Sequence, residues 1–234
     1  MSDKDARKRA AREFQARHPG ASYTAALRAV SQARRRVALA AVVGTDTAGR
    51  PQRVNLDEQA HGGNGPHMLI AGPATTEIAA ALSTVATALA RRQEGTVRLL
   101  VCGSEQMSLD IDHEHVRPTD VSAAIDHLLD RRSAELASLG CADVHQARMI
   151  QPDYPTYVVM IELRDPVASL ERGLRMGRSL GVHFVIGCVA SQAVGAGRRP
   201  ELYADVAPEI LRNIPQGFAV TGEQMWSEEW SLTR

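Results

Sequence analysis

The sequence of 234 residues is long enough to bury one substantial core and too short for two large domains. Its composition, 44% hydrophobic with only 4% aromatic residues, favours an α/β protein packed with Ala, Val and Leu, and no apolar run approaches the roughly 20 residues of a membrane helix. The net charge is zero, but residues 1–40 carry ten Lys or Arg against three Asp or Glu, which puts +7 on this segment and −7 on the rest.

Residues 1–36 are predicted to form a basic helical hairpin. Two stretches with helical spacing, DARKRAAREFQARH and SYTAALRAVSQARRR, flank the turn-forming pair Pro19–Gly20, and Ser22 is a candidate N-cap. The basic side chains that could contact nucleic acid or a partner are Arg7, Lys8, Arg12, Arg28, Arg34, Arg35 and Arg36.

Two interpretations of this basic arm stay open. Arginine suits bidentate phosphate contacts, so binding of DNA or RNA is one hypothesis. The arm lacks an aromatic stacking set and a clear recognition helix, and basic amphipathic helices also dock onto acidic protein surfaces. The second hypothesis is therefore packing against its own −7 domain or against another subunit.

Residues 37–234 are predicted to form the main domain. Apolar segments typical of strands alternate with segments typical of helices, and this alternation predicts a mostly parallel sheet covered by helices on both faces. The predicted strands are Val37–Gly44, Arg53–Asp57, His67–Ala71, Thr96–Cys102, Tyr157–Leu163 and Val182–Cys188. The predicted helices run from about Ala74 to Arg92, from Val121 to Leu139 and from about Leu170 to Leu180.

The sequence offers little support for a metal site or a nucleophile. In SLDIDHEHV, a strand would place Asp110, Asp112 and Glu114 on one face, but the spacing lacks the features of a calcium loop, so no metal is expected. His67 and His183 border apolar strands and are interpreted as structural, hydrogen-bonded histidines.

The three cysteines are Cys102, Cys141 and Cys188. They are odd in number and far apart, which disfavours disulfide and zinc frameworks, and Cys188 falls in an apolar strand. The start of the sequence also has no signal-peptide pattern. We therefore predict a cytoplasmic protein without membrane insertion.

Five segments in a fixed order give the sequence a family resemblance. They are GGNGPHMLIAG, VRLLVCG, LLDRRSAELASLG, YVVMIEL and RMGRSLGVHFVIG. This order resembles the FtsK/SpoIIIE-type motor ATPases, particularly the ATPase modules of type VII secretion, which typically show a Gly-Gly-x-Gly-Pro-His stretch before the phosphate loop and a Gly-Arg-Ser-Leu-Gly-Val-His stretch before a late strand. Here these are residues 62–67 and 177–183. The resemblance runs from about Asn55 to Val220 and implies a RecA-like P-loop α/β fold, with the hairpin outside it.

The phosphate loop implied by the resemblance is degenerate. A working loop reads G-x-x-x-x-G-K-[ST], where backbone N–H groups and the lysine hold phosphates and the hydroxyl binds Mg²⁺. The second glycine, the lysine and the hydroxyl residue of that motif are replaced here by Glu77, Ile78 and Ala79. In full, the positions are Gly72, Pro73, Ala74, Thr75, Thr76, Glu77, Ile78 and Ala79. Loop geometry can persist in this sequence, but its phosphate chemistry cannot, and no lysine occurs after Lys8.

The other positions that the resemblance makes chemical also differ. In the family, the strand that corresponds to Tyr157–Leu163 ends in Asp-Glu, where the aspartate orders Mg²⁺ and the glutamate polarises water. In this sequence the two positions are Ile161 and Glu162. The late strand usually ends in Ser-Gln-Arg, but this sequence has Cys188, Val189 and Ala190. Glu162 is therefore a vestigial candidate, expected to face solvent or Arg164, and no other catalytic residue is expected.

Together these features predict a pseudo-ATPase without a required cofactor. The expected role is a binding or assembly module in a secretion or translocation apparatus, with a protein partner or copies of itself as partners. An alternative is a DNA-associated accessory protein that uses residues 1–36. A third is weak binding of ATP and Mg²⁺ with little hydrolysis.

Overall fold

The computed structural model describes residues 3–36, 39–45, 49–57, 63–92, 96–102, 107, 109–151, 153–189, 210, 212–221 and 224–228. Six α-helices lie in these residues: α1 (Asp3–Arg17), α2 (Tyr23–Arg36), α3 (Thr75–Arg92), α4 (Val121–Ser138), α5 (Val144–Ile150) and α6 (Leu170–Leu180). The strands are β1 (Ala40–Thr45), β2 (Pro51–Asn55), β3 (His67–Gly72), β4 (Val97–Cys102), β5 (Glu114–Val116), β6 (Thr156–Leu163), β7 (Val182–Val189), β8 (Gln216–Thr221) and β9 (Gln224–Glu228).

The main sheet has the order β5-β4-β6-β7-β3-β8-β9. The first six strands in this order are parallel, and β9 pairs with β8 in the antiparallel sense. Strands β1 and β2 form a separate antiparallel hairpin with an irregularity between Val42 and Gly44. The carboxyl ends of the six parallel strands therefore meet at one edge, where ligand sites of open α/β sheets lie.

Two apolar cores cover the two faces of the sheet. The α4-side core joins α4, α5 and α6 to residues such as Phe184 and Ile186 of β7. The α3-side core joins α3 and the β1–β2 hairpin to alternate strand residues such as Val185. Because successive strand side chains point to opposite faces, β7 contributes to both cores.

The sequence predicted the central elements and missed the peripheral ones. The helical hairpin is present, and the Ser22 hydroxyl accepts a hydrogen bond from the backbone N–H of Ala25 at 3.1 Å, as expected of an N-cap. The predicted helix Leu170–Leu180 is α6. The elements that were missed are β5, α5, β8 and β9.

The missed helix α5 carries a local signal that could have found it. Asp143 precedes the helix, and its carboxylate accepts a hydrogen bond from the backbone N–H of Gln146 at 2.8 Å. An Asp followed three residues later by Gln is the pattern of a helix start. The seven-residue helix is too short for its apolar periodicity to stand out.

His67 connects three central elements of the domain. Its imidazole is fully buried, and the ring nitrogen Nε2 lies 2.9 Å from the carbonyl oxygen of Leu174 in α6. The backbone N–H of Phe184 in β7 donates to the other ring nitrogen, Nδ1, at 3.1 Å. Since Nδ1 accepts, the proton lies on Nε2 and is donated to Leu174. The interpretation of His67 as a structural, hydrogen-bonded histidine is thus confirmed.

Gly177 makes this arrangement possible because α6 packs closely at that point. A Cβ atom at position 177 would collide with the carbonyl oxygen of Val182, and it would lie 3.2 Å from the Phe184 ring and 3.3 Å from the His67 ring. His183 adds a second link, since its Nδ1 lies 2.9 Å from the carbonyl oxygen of Pro66. The two sequence stretches that carry the family resemblance therefore contact each other in space.

We expect His67 to make stability depend on pH in a defined window. Burial lowers the pKa of His67 from its ordinary 6.5 to about 3, nearby His183 and Arg178 act in the same direction, and the bond to Leu174 opposes them. The pKa is lowered in the folded state, so between pH 6.5 and 3 only the unfolded chain binds the proton. The contribution of neutral His67 to the free energy of unfolding is complete above pH 6.5. It is lost as the pH falls, and the free energy of unfolding then decreases by up to about 1.4 kcal/mol per pH unit.

Denaturant unfolding from pH 7.5 to pH 4.5 measures this slope. His67→Gln should be less stable than the unmodified protein at neutral pH and should show a shallower loss of stability on acidification. His115→Gln, at an exposed position, is the matched control and should follow the unmodified protein. Parallel pH curves for His67→Gln and the unmodified protein would contradict the expectation.

Candidate functional site

The segment that aligns with the phosphate loop is mostly helical. Strand β3 ends at Gly72 and α3 begins at Thr75, so only Pro73 and Ala74 separate them. A working motif has four residues between its two glycines before the helix takes over. The backbone N–H of Ile78, at the lysine position, donates to the carbonyl oxygen of Ala74 at 3.1 Å and is already part of the helix. The loop geometry that the sequence allowed is therefore not kept.

Ile78 fills the space above the strand ends. Its side chain is fully buried in the α3-side core. A Cβ atom at Gly187 of β7 would collide with Ile78 and would lie 2.9 Å from Leu82, and one at Gly72 would lie 3.1 Å from Ile78. The side chain at the lysine position thus packs directly against the two strands that flank the expected phosphate site.

The residues on either side of Ile78 also serve the helix. Glu77 is half-buried in the first turn of α3, where a negative charge interacts favourably with the helix dipole. Ala79 is buried at 2% exposure, and it offers no hydroxyl for Mg²⁺. An anion at this helix start would meet the Glu77 carboxylate in place of a lysine ammonium group.

Glu162 lies near the carboxyl end of β6 on the face of the sheet that α3 covers. It pairs with Gly187 of β7. Residues two apart on a strand share a face, so Glu162 lies on the same face as Met160, which belongs to the α3-side core. Arg164 Nε donates to Glu162 Oε1 at 2.7 Å, while the Glu162 side chain is only 2% exposed. Among the described residues, Glu162 Oε2 has no hydrogen-bond partner. Of the two expected surroundings, solvent or Arg164, the structure shows Arg164.

The other positions at which the family resemblance implies catalytic side chains hold no charged residue. Ile161 is 1% exposed and points into the α4-side core, away from α3. Cys188 is buried, Val189 is 42% exposed, and Ala190 lies outside the described residues. Burial raises the pKa of the Cys102 thiol, the cysteine at the carboxyl end of β4, to about 12, so this thiol stays protonated at neutral pH.

The basic arm presents three of its predicted contact residues to solvent. Lys8, Arg12 and Arg28 are exposed, while the side chains of Arg7, Arg34, Arg35 and Arg36 lie outside the described part of the chain. Helix α2 approaches α5 of the main domain. Contact of these exposed residues with DNA or with a protein partner stays a prediction.

The acidic stretch around Asp112 is not an extended strand. Strand β5 begins only at Glu114; Asp110 lies in a bend and Asp112 in irregular backbone before it. Within the described ranges, no group of three His, Cys, Asp or Glu side chains could hold a metal ion. The hypothetical row of three carboxylates therefore does not form.

A groove at the other end of the sheet was not predicted from the sequence. It has a volume of about 830 Å³, and its walls include Arg91, Arg98, Arg131 and Tyr157. The signal was available in the strand TVRLLVC, where Arg98 interrupts an apolar run. Sequence alone does not reveal that α3, α4 and β6 bring the other side chains to that point.

Comparison with solved structures finds similar domains in type VII secretion ATPases. The cytoplasmic domain of the Thermomonospora curvata type VII secretion ATPase EccC aligns with a TM-score of 0.57 and 22% identity, over 78% of this chain and 24% of that one. ATPases 2 and 3 of EccC from the same organism, in complex with a signal sequence peptide, align with a TM-score of 0.53 and 18% identity, over 79% of this chain and 34% of that one. ATPases 2 and 3 of EssC from Geobacillus thermodenitrificans align with a TM-score of 0.50 and 12% identity, over 78% and 37%.

These similarities concern the fold. No family model matches the sequence, and no curated protein matches it. The chain spans about a quarter to a third of the length of the secretion ATPases it resembles. None of the described helices has the length and apolar character needed to cross a bilayer.

We expect a lysine at position 78 to destabilise the fold. Ile78→Lys would place an ammonium group among Leu82 and the strand glycines, where burial of an unpaired charge costs several kcal/mol. Ile78→Val, the matched control, removes one methyl group and should cost only about 1 kcal/mol. Denaturant midpoints measure both, and equal midpoints for the two variants would contradict the buried position of this side chain.

The sheet topology and the structural neighbours together identify the fold. The six-stranded parallel sheet with helices on both faces agrees with the architecture that the sequence resemblance implied. The structural neighbours are the ATPase domains of type VII secretion that the resemblance named. The chain therefore has a RecA-like P-loop ATPase fold, of the kind found in the FtsK/SpoIIIE-type secretion ATPases.

Proposed function

We propose that this chain is a pseudo-ATPase that acts as a binding or assembly module of a secretion or translocation apparatus. The observation that carries the proposal is Ile78, which occupies the lysine position as a core residue of the α3-side core. Phosphoryl transfer depends on positioning and on stabilisation of negative charge. A buried isoleucine provides neither.

The arrangement around Glu162 supports the same conclusion. A carboxylate that polarises water is productive only beside a metal-charged phosphate. Here its Oε1 atom is bound to Arg164, and the adjacent strand residue Ile161 cannot ligate Mg²⁺. Glu162 therefore lacks the surroundings that would give it a catalytic role.

The binding role rests on the structural neighbours. One neighbour consists of ATPases 2 and 3 of Thermomonospora curvata EccC in complex with a signal sequence peptide. We propose that this chain uses the same fold to bind a protein partner. Another neighbour is described as a cytoplasmic domain, and we propose the same location for this chain.

An assay of phosphate release tests the loss of turnover. With Mg²⁺ and ATP, we expect the unmodified protein to stay at the background rate, because several charge-stabilising groups are missing together. Glu162→Gln should leave that rate unchanged, and Ile78→Lys should not raise it. Turnover approaching the ~1 s⁻¹ lower end of ordinary enzymes, abolished in Glu162→Gln, would overturn the proposal.

Thermal unfolding separates a pseudo-ATPase from a protein that still binds nucleotide. A ligand present at 100 times its Kd stabilises the folded state by about 2.7 kcal/mol. We expect no rise in Tm with millimolar ATP and Mg²⁺. A rise that depends on ATP concentration, without phosphate release, would favour the third interpretation of weak binding.

Sedimentation tests whether the basic arm serves assembly or nucleic-acid binding. Replacing the exposed Lys8, Arg12 and Arg28 with Gln should weaken self-association about tenfold, since three rim charges contribute about 0.5 kcal/mol each and 1.4 kcal/mol is a factor of ten. The control replaces three exposed arginines of the main domain with Gln: Arg53, Arg117 and Arg175.

The same proteins should show no mobility shift on duplex DNA. A shift that weakens steeply with salt and disappears in the arm variant would favour the DNA-associated alternative. Self-association that is equal in the arm variant and the control variant would remove the arm from the proposed assembly role.

A further inference from the structure

The groove at the start of β4 runs along a stretch of the sheet edge with which β5 does not pair. Strand β5 pairs with β4 only from Leu100 to Cys102. On that side, no strand among the described residues pairs with Val97, Arg98 or Leu99, and these three residues line the groove. An unpaired edge presents backbone N–H and C=O groups that can pair with an added strand.

The two faces of this edge differ in chemistry. Val97 and Leu99 belong to the α3 face, where Ala90 and Ile111 also line the groove and make it apolar. Arg98 points to the other face, where Tyr157 of β6 and Arg131 of α4 complete the wall. An added strand would therefore meet mainly apolar side chains on the α3 face, which also carries Arg91, and Arg98 and Arg131 on the other.

The arginines of the second face are held on the Tyr157 ring. The guanidinium carbons of Arg98 and Arg131 lie 5.8 Å and 5.3 Å from the ring centroid, and Arg98 Nη1 donates to the Tyr157 hydroxyl at 3.2 Å. Arg131 Nε is buried without a hydrogen-bond partner in the described part of the chain. Cation–π contacts orient both groups and leave donors available for carboxylates.

The charge balance of the groove favours an acidic ligand. Arg91, Arg98 and Arg131 face Asp112 and Glu114, which leaves the lining one positive charge in excess. Glu114 also borders a small neighbouring cavity with Arg131, yet the ion pairs of the described residues join neither carboxylate to these arginines. The arginines are thus available to a ligand that carries its own carboxylates.

We propose that this groove binds an extended acidic segment of a partner protein as an added β-strand beside Val97, Arg98 and Leu99. Side chains of a strand alternate between faces, so the segment has carboxylates at every second position, against Arg98 and Arg131. Apolar side chains at the positions between them pack on Val97, Leu99 and Ile111. The inference rests on the proposed binding role and specifies the ligand class that this role requires.

Fluorescence anisotropy with defined peptides tests the inference on the full chain. The probe is a labelled octapeptide, Ser-Glu-Val-Glu-Leu-Glu-Val-Ser. It should bind saturably, and a peptide with Gln in place of every Glu should bind at least tenfold more weakly. Methylation of alternate backbone nitrogens should weaken binding to the same extent, because the added strand then loses its ladder donors.

Protein variants locate the binding site. The double variant Arg98→Gln/Arg131→Gln should bind the acidic peptide at least tenfold more weakly, whereas the matched control Arg53→Gln/Arg175→Gln should bind as the unmodified protein does. Hydrogen exchange at residues 97–99 should slow when the peptide is added. If the double variant loses its circular dichroism spectrum, the methylated peptide and the exchange measurement on the unmodified protein decide the question.

Three outcomes would overturn the inference. The first is absence of binding up to about 1 mM peptide, the weak limit of useful affinity. The second is equal binding of the Glu and Gln peptides, or protection only outside residues 97–99. The third is protection of residues 97–99 that rises with protein concentration alone, which would assign the edge to a second copy of this chain. The first two outcomes leave the phosphate-release and sedimentation assays unaffected, and the third leaves phosphate release and the comparison of arm and control variants unaffected, so failure here is distinguishable from failure of the proposed function.

Discussion

The buried imidazole of His67 is the interaction on which the central geometry depends. His67 is the first residue of β3. Its ring donates a hydrogen bond to the carbonyl oxygen of Leu174 in α6 and accepts one from the backbone N–H of Phe184 in β7. Each of these backbone groups would be unsatisfied if the ring were replaced by an apolar side chain, and an unsatisfied buried group costs about 1–3 kcal/mol. One neutral side chain thereby sets the distance between two adjacent strands and the helix that covers them.

The position of this histidine keeps the central scaffold contacts away from the carboxyl end of β3. His67 lies at the amino end of β3, and Gly72 lies at its carboxyl end. Five residue steps at about 3.3 Å each separate them by about 17 Å. The contacts that fix the sheet and α6 are therefore remote from residues 72–79, and substitutions at Glu77, Ile78 and Ala79 leave them untouched.

At the loop end, the side chains of Ile78 and Ala79 are buried at the start of α3. Burial of an isoleucine side chain contributes roughly 1.5–3 kcal/mol, and Ile78 is fully buried in the α3-side core beside Gly72 and Gly187. An active site that binds phosphates must keep polar groups and open space at such a position, at a cost in stability. The proposed loss of turnover and the dense packing at Ile78 thus have the same structural origin.

The sequence by itself determined the alternation of central strands and helices, since apolar periodicity is local and strong in β3, β4, β6, β7, α3, α4 and α6. That Glu77, Ile78 and Ile161 replace phosphate- and Mg²⁺-binding groups follows from the family resemblance and stays a prediction. The short elements β5 and α5 were not predicted, because three and seven residues are too few to show a clear apolar periodicity. Tertiary structure alone decided that Ile78 lies in the core, that Glu162 is buried against Arg164, and that Arg98 and Arg131 meet on Tyr157. Each of these depends on strand order and helix placement, which bring together residues that are far apart in the chain.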